Sequence, residues 1–228
     1  MIEKGSVPMS EQPIRVMVVD DHPIVIGGIR ALLDTIEDIK IICEAHNGLQ
    51  AIEAFDKLNP DVILMDLIMP EMDGIEAIQQ ITEKDPEAKI LVLTSFITDE
   101  KVFPAIKAGA MGFLLKDSEP EELIKAIRDI NNGEPSLQPN IARKVLKELR
   151  RSSRDEPIPD PLTDRETDVL KLLAKGYGNH EIAEKMFVAD VTVRTHVSRI
   201  LRKLQLANRV QATLYALKRG LTSLEDEE

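Results

Sequence analysis

The chain is short of cysteine: Cys43 is the only one in 228 residues. A single thiol excludes an internal disulfide, and no thiol cluster exists to hold zinc. Its place in the apolar stretch "IKIICEA" marks it as a buried structural thiol by expectation. Long apolar runs are absent as well. None approaches the roughly 20 residues that span a bilayer, so no membrane partner is expected. The opening "MIEKGSVPMSEQP" lacks the apolar core of a signal peptide. It reads as a flexible leader over residues 1–12, and the expected location is the cytoplasm. Positive charge is also in short supply, with 29 Lys and Arg against 40 Asp and Glu and a net charge of −11. That balance argues against a nucleic-acid partner until its distribution is considered. Residues 1–159 carry the whole −11, and residues 160–228 are neutral. Residues 191–219 hold seven basic groups and no acid. Because salt screens distant charge, such a local basic segment can still grip a polyanion. What remains is ordinary for a soluble protein of one or two domains, with 43% hydrophobic and 30% charged residues.

The first part of the chain alternates. Apolar, strand-like runs fall at 14–19, 39–44, 62–65, 90–93 and 112–115, with helical patterns at 24–33, 49–58, 75–83, 101–108 and 121–130. Strands alternating with helices predict a doubly wound five-stranded parallel sheet. The alternation stops at "NNGEPSLQPN". A linker is expected over residues 134–160, with a helix near 141–151 and the Pro- and Ser-rich "SSRDEPIPDP" behind it.

In such sheets, functional loops gather beyond the carboxyl ends of the strands. The first strand ends in Asp20 and Asp21, the third in Asp66, the fourth in Thr94 and the fifth in Lys116. Adjacent carboxylates repel unless a cation compensates. Hard oxygen ligands of this kind suit Mg²⁺, which takes one or two carboxylates and keeps waters and a phosphate oxygen. A lysine supplies a point charge for a transferred phosphoryl group, and a carboxylate can be a covalent nucleophile.

The strings "VDDH", "LMDLIMPEMDG", "LTS" and "GFLLKD", each at a strand end, resemble those of a response-regulator receiver domain, here over residues 13–133. The resemblance implies that Asp66 accepts a phosphoryl group from a sensor histidine kinase. It implies that Asp20, Asp21, Asp66 and the backbone carbonyl of Ile68 hold Mg²⁺, that Thr94 and Lys116 bind the phosphoryl oxygens, and that Phe113 is the switch aromatic. His22 reads as a loop residue, neither ligand nor base. Ile68 and Phe96 flank the path of the attacking water in this family. Both are apolar and cannot orient water, which implies a phosphoryl group lasting minutes rather than seconds.

The last part is helical. "LTDRE" offers Thr163 and Glu166 as a capping box. In "VTVRTHVSRILRKL", Val193, Val197, Ile200, Leu201 and Leu204 fit one buried helix face. The short helix before it completes a helix-turn-helix layout, whose second helix suits the major groove. Arg194, Arg199, Arg202, Lys203 and Arg209 are expected to face phosphates or bases. Residues 161–221 resemble the four-helix LuxR-type DNA-binding domain. With the receiver, the chain resembles a NarL/FixJ-type response regulator: an α/β flavodoxin-like domain followed by an all-α domain. By that resemblance Arg194, Thr195 and Ser198 contact the groove, Asn179 and Thr192 contact the backbone, and Val210, Leu214 and Leu217 form a dimerisation stripe. Gly178 and His180 depart from the usual hydroxyl residue and lysine, Asp190 is expected to cap the second helix, and Gln205 stands where Gly is usual. Residues 222–228 form an acidic tail.

The implied function is a phosphorylation-controlled transcription regulator that dimerises on activation and binds double-stranded DNA. It is not an enzyme beyond accepting and slowly losing its own phosphoryl group. Two alternatives stay open: a constitutive DNA-binding regulator with a non-signalling receiver, and an aspartyl-phosphate phosphatase. The phosphatase needs a second Asp where Ile68 stands.

Overall fold

A computed structural model describes residues 12–95, 99–137, 161–204, 206 and 208–221. Five βα units come first: β1 (Ile14–Val19), α1 (Pro23–Leu33), β2 (Ile39–Ala45), α2 (Gly48–Leu58), β3 (Val62–Met65), α3 (Gly74–Lys84), β4 (Ile90–Thr94), α4 (Asp99–Ala108), β5 (Gly112–Leu115) and α5 (Pro120–Asn131). All strand pairings are parallel, in the order β2-β1-β3-β4-β5. The apolar runs form strands because both faces of the sheet are covered. Val16 and Val18 join a cluster on one face with Ile26, Ile29, Leu123 and Ile127 of α1 and α5. Met17 and Val19 point to the other, with Ile78, Ile81, Val102 and Ile106 of α3 and α4.

The sheet differs from expectation at its edge. A two-residue strand, β6 (Ser136–Leu137), pairs in parallel with β5. It lies in the stretch read as linker, where Gly and Pro hid so short a strand. The helix expected near 141–151 lies outside the described residues, as do Phe96, Gln205, and the leader and tail apart from Gln12. Cys43 is only half-buried at the core margin, where desolvation pushes its thiol pKa up.

Four helices follow: α6 (Asp164–Ala174), α7 (Asn179–Met186), α8 (Asp190–Leu204) and α9 (Arg209–Lys218). Thr163 and Glu166 form the expected capping box at the start of α6. Lys203 donates to Glu166 across 2.9 Å, fixing α8 against that box. Val169, Leu170, Leu173, Ile182, Val193 and Ile200 make a separate core. Asp190 is the first residue of α8 rather than its cap. Phe187 ends α7 with φ 55°, a left-handed turn that bulky residues seldom adopt.

The helical part packs on the sheet part through α9 and α4. Val210 and Leu214 belong to the same apolar cluster as Val102, Ala105, Ile106 and Phe113. Asn208 Nδ2 donates to Ala110 O at 3.0 Å, and Gln211 Nε2 to Ile106 O at 3.1 Å. Arg209, expected to face phosphates, is instead 4% exposed in this seam. Its guanidinium donates to the carbonyls of Gly133 and Tyr177 and to Asn179 Oδ1.

Candidate phosphoacceptor site and DNA-facing surface

Strand order reverses between β1 and β3, the place where parallel sheets open a crevice at their carboxyl ends. Asp20 follows β1, Asp66 follows β3, Thr94 ends β4 and Lys116 follows β5. All but Lys116 are buried, Asp20 at 2%, Thr94 at 3% and Asp66 at 4% exposure. Lys116 Nζ lies 2.6 Å from Asp20 Oδ2 and 2.8 Å from Asp66 Oδ2. The second oxygen of Asp66 accepts from its neighbour's amide, Leu67 N, at 2.7 Å. Desolvation raises the Asp66 pKa above the ordinary carboxylate value; the Lys116 ammonium pulls it down, and Asp20 pushes it up. Burial penalises the charged Lys116, yet its contacts with Asp20 and Asp66 outweigh this and hold its pKa above the usual lysine value.

The loop after β3 folds back tightly. Gly74 N donates to Leu67 O at 3.1 Å. A Cβ at Gly74 would stand 2.0 Å from the Asp66 carbonyl oxygen, which is backbone and cannot yield. Gly74→Ala is therefore expected to displace this loop and lower stability by ~1–3 kcal/mol, as overpacking does. A urea denaturation midpoint equal to the wild type would contradict it.

Asp20, Asp21, His22 and Asp66 each offer a ligand atom, all within 4.8 Å of one another. The Asp21 Oδ1 atom is buried and makes no aligned hydrogen bond, although His22 Nδ1 lies 2.7 Å away. That imidazole nitrogen bonds Asp20 Oδ1 at 3.2 Å. An orphaned carboxylate oxygen beside two further acids fits a hard divalent cation. His22 was read as a bystander, yet it touches both acids after β1. No sequence signal short of the fold would have shown this. The structure brings Asp20, Asp21, Asp66, Thr94 and Lys116 to one rim. Ile68 sits beside them, 57% exposed. Phe113, the expected switch aromatic, lies inside, 1% exposed against α4.

On α8, Arg194, Thr195, Ser198, Arg199 and Arg202 are exposed, and Thr192 is half-buried. Thr195 donates back to Val191 O at 2.9 Å. Lys203 is spent on Glu166 and is no free cation. Arg194 and Asn179 line a cavity between the two parts of the chain, facing Lys89 and Asn131 of the sheet part. Leu217 packs at the margin of the helical core, so the stripe Val210, Leu214 and Leu217 is divided between two partners. Among the described residues no helix is long and apolar enough to cross a membrane.

A doubly wound parallel sheet with acids and a lysine at its switch point, followed by a helix-turn-helix unit, defines a signalling receiver joined to a DNA-binding domain. Known proteins agree. The family model for the response regulator receiver domain matches residues 16–128, and that for bacterial regulatory proteins of the luxR family matches residues 160–216. The transcriptional regulatory protein LiaR of Bacillus subtilis is 46% identical, across 92% of this chain and all of LiaR. The crystal structure of the response regulator ChrA of a heme-sensing two-component system has a TM-score of 0.51. It is 33% identical and covers 93% of this chain and all of ChrA. A structure of two RcsB dimers bound to two parallel DNAs is 28% identical, with a TM-score of 0.54, over 92% of this chain and all of that one. The chain belongs to the response regulators with a LuxR-type DNA-binding domain, the NarL type, and is a transcription regulator of the two-component kind.

Proposed function

We propose that Asp66 accepts a phosphoryl group from the phosphohistidine of a sensor kinase. The Oδ2 atom forms the new P–O bond as the P–N bond breaks and the electron pair returns to the imidazole. The convergence of Asp20, Asp21 and Asp66 on Lys116 carries this reading. The acids, with the Ile68 carbonyl, would hold Mg²⁺, which supplies charge neutralisation at the transferring oxygens. Lys116 must give up its contact with Asp66 Oδ2 to meet those oxygens, and Thr94 offers them a hydroxyl. The added group carries close to two negative charges. It shifts the balance between two arrangements only by as much as it interacts differently with each.

The packing of α9 on α4 supports a closed arrangement as one member of that pair. Val210 and Leu214 pack on α4, and Arg194 and Asn179 line the cavity at the seam, so the receiver stands beside part of the DNA-facing surface. Phosphorylation frees α9 from α4, the chain dimerises, and the paired α8 helices read DNA, as RcsB dimers are seen to bind it. Arg194, Thr195 and Ser198 enter the groove, with Asn179, Thr192, Arg199 and Arg202 on phosphates. Lys203 keeps α8 in place instead.

Binding to a labelled duplex is expected to tighten with acetyl phosphate and Mg²⁺ and to fall steeply with salt, as counterion release dictates. Arg194→Ala is expected to cost about 1–3 kcal/mol of binding. Affinity unmoved by both the phosphoryl donor and salt would overturn the reading.

A further inference from the structure

The seam between the domains gathers more positive than negative charge. A cavity of about 170 Å³ lies there, bounded by Glu87, Lys89 and Asn131 of the receiver and by Asn179, Arg194 and Arg209 of the helical domain. Lys89 Nζ donates to Asn131 O at 2.6 Å, which leaves the ammonium further hydrogens to offer. Lys89 and Arg194 approach from opposite sides. Like charges facing each other across a seam cost energy unless an anion sits between them. Burial pushes the Lys89 ammonium below its ordinary pKa; Asp61 and Glu87 oppose this, and the Arg194 charge adds to it. Arg209 is the stronger case. Its Nη atoms donate to two carbonyls and the Asn179 amide oxygen, none of them a full negative charge. Its Nε is buried with no acceptor. Desolvation lowers its pKa to about 10 against the pull of Glu134 and Glu181, the nearest acids. Among the described residues neither acid forms an ion pair with it. Glu134 rests against Gly178 instead. An unmade hydrogen bond on a buried charged group is costly, and a guanidinium edge is shaped for an oxyanion.

We propose that this interdomain cavity is a binding site for one small oxyanion of the phosphate class, held by Lys89, Arg194 and Arg209, which stabilises the closed arrangement in competition with DNA. Arg194 then meets either this ion or the DNA, never both. The ion lowers the open population by its differential affinity for the closed form, in the way any ligand shifts a two-state equilibrium. The proposal rests on the closed arrangement described above.

The test uses the full, unphosphorylated chain without Mg²⁺, so that the Asp66 site takes no part. Sodium phosphate is titrated against sodium chloride at matched ionic strength, with calorimetry for binding, small-angle scattering for compactness, and a labelled duplex for DNA affinity. Glycerol phosphate in a parallel arm separates the free ion from an esterified one, and binding of either supports the site. One saturable event is expected, with a weakening of DNA binding beyond that of chloride. Lys89→Gln lies off the DNA path, and is expected to weaken phosphate binding at least tenfold and to erase that excess. Arg194→Gln serves as a second variant if Lys89→Gln disturbs the edge of the sheet. A compact chain in which phosphate and chloride act alike overturns the site alone. An extended wild-type chain overturns the closed arrangement and the site together. Undiminished phosphate binding in both variants overturns the assignment to this cavity.

Discussion

Acetyl phosphate with Mg²⁺ is expected to add one phosphoryl group to the wild-type chain, read by intact mass, and none to Asp66→Ala. The pocket distinguishes its acids by what holds them. Asp20 is tied at one oxygen by Lys116 and at the other by the amide and ring of His22. Asp21 is half-exposed, with one oxygen left for a cation. Asp66 stands at the end of a central strand, with one oxygen fixed by a backbone amide and the other turned to Lys116. Asp20 meets Lys116 in the same way but carries the His22 ring as a further partner, which leaves Asp66 with fewer contacts to give up. Removing the nucleophile leaves no covalent route, so the effect is loss rather than attenuation. A variant that still gained mass would move the nucleophile to Asp20 or Asp21.

Replacing Val210 and Leu214 together by Ala is expected to tighten DNA binding of the unphosphorylated chain roughly tenfold, bringing it toward the phosphorylated wild type. The two side chains are 1% and 6% exposed, within the receiver's own apolar cluster. Truncating a buried Leu or Val costs ~1–4 kcal/mol where the surroundings cannot collapse. Here that cost falls on the closed arrangement alone. The sign discriminates between two roles for one stripe. If these residues chiefly join two copies on DNA, the same variant binds less well, because the dimer is lost. The comparison is clean when made with and without acetyl phosphate. Loosened closure raises only the unphosphorylated affinity, whereas a lost dimer lowers only the phosphorylated one.

The receiver was legible in the chain because its signals are local and repeated. Each strand is a short apolar run, each functional residue follows one at once, and parallel βα topology delivers strand ends to a single rim whatever the loops do. The α8 face was legible for a similar reason, since helical periodicity separates Val193 and Ile200 from Thr195 and Ser198. The two-residue β6 was not, since a strand of that length carries no pattern. His22 was missed because its contact with two acids depends on a turn.

Composition and periodicity by themselves determined the doubly wound sheet, the helix-turn-helix and the acids, hydroxyl and lysine of the pocket, because burial of alternating faces admits few other arrangements. Which way the ambiguous residues went was decided only by tertiary packing, within the helical domain and between the two domains. Arg209 looked like a phosphate contact and became a buried strut, Lys203 turned to Glu166, and Val210 and Leu214 joined the receiver core. An apolar stripe or a cation states what it needs, a dry neighbour or an anion. Several surfaces of the same molecule meet that need, and only the folded geometry selects among them.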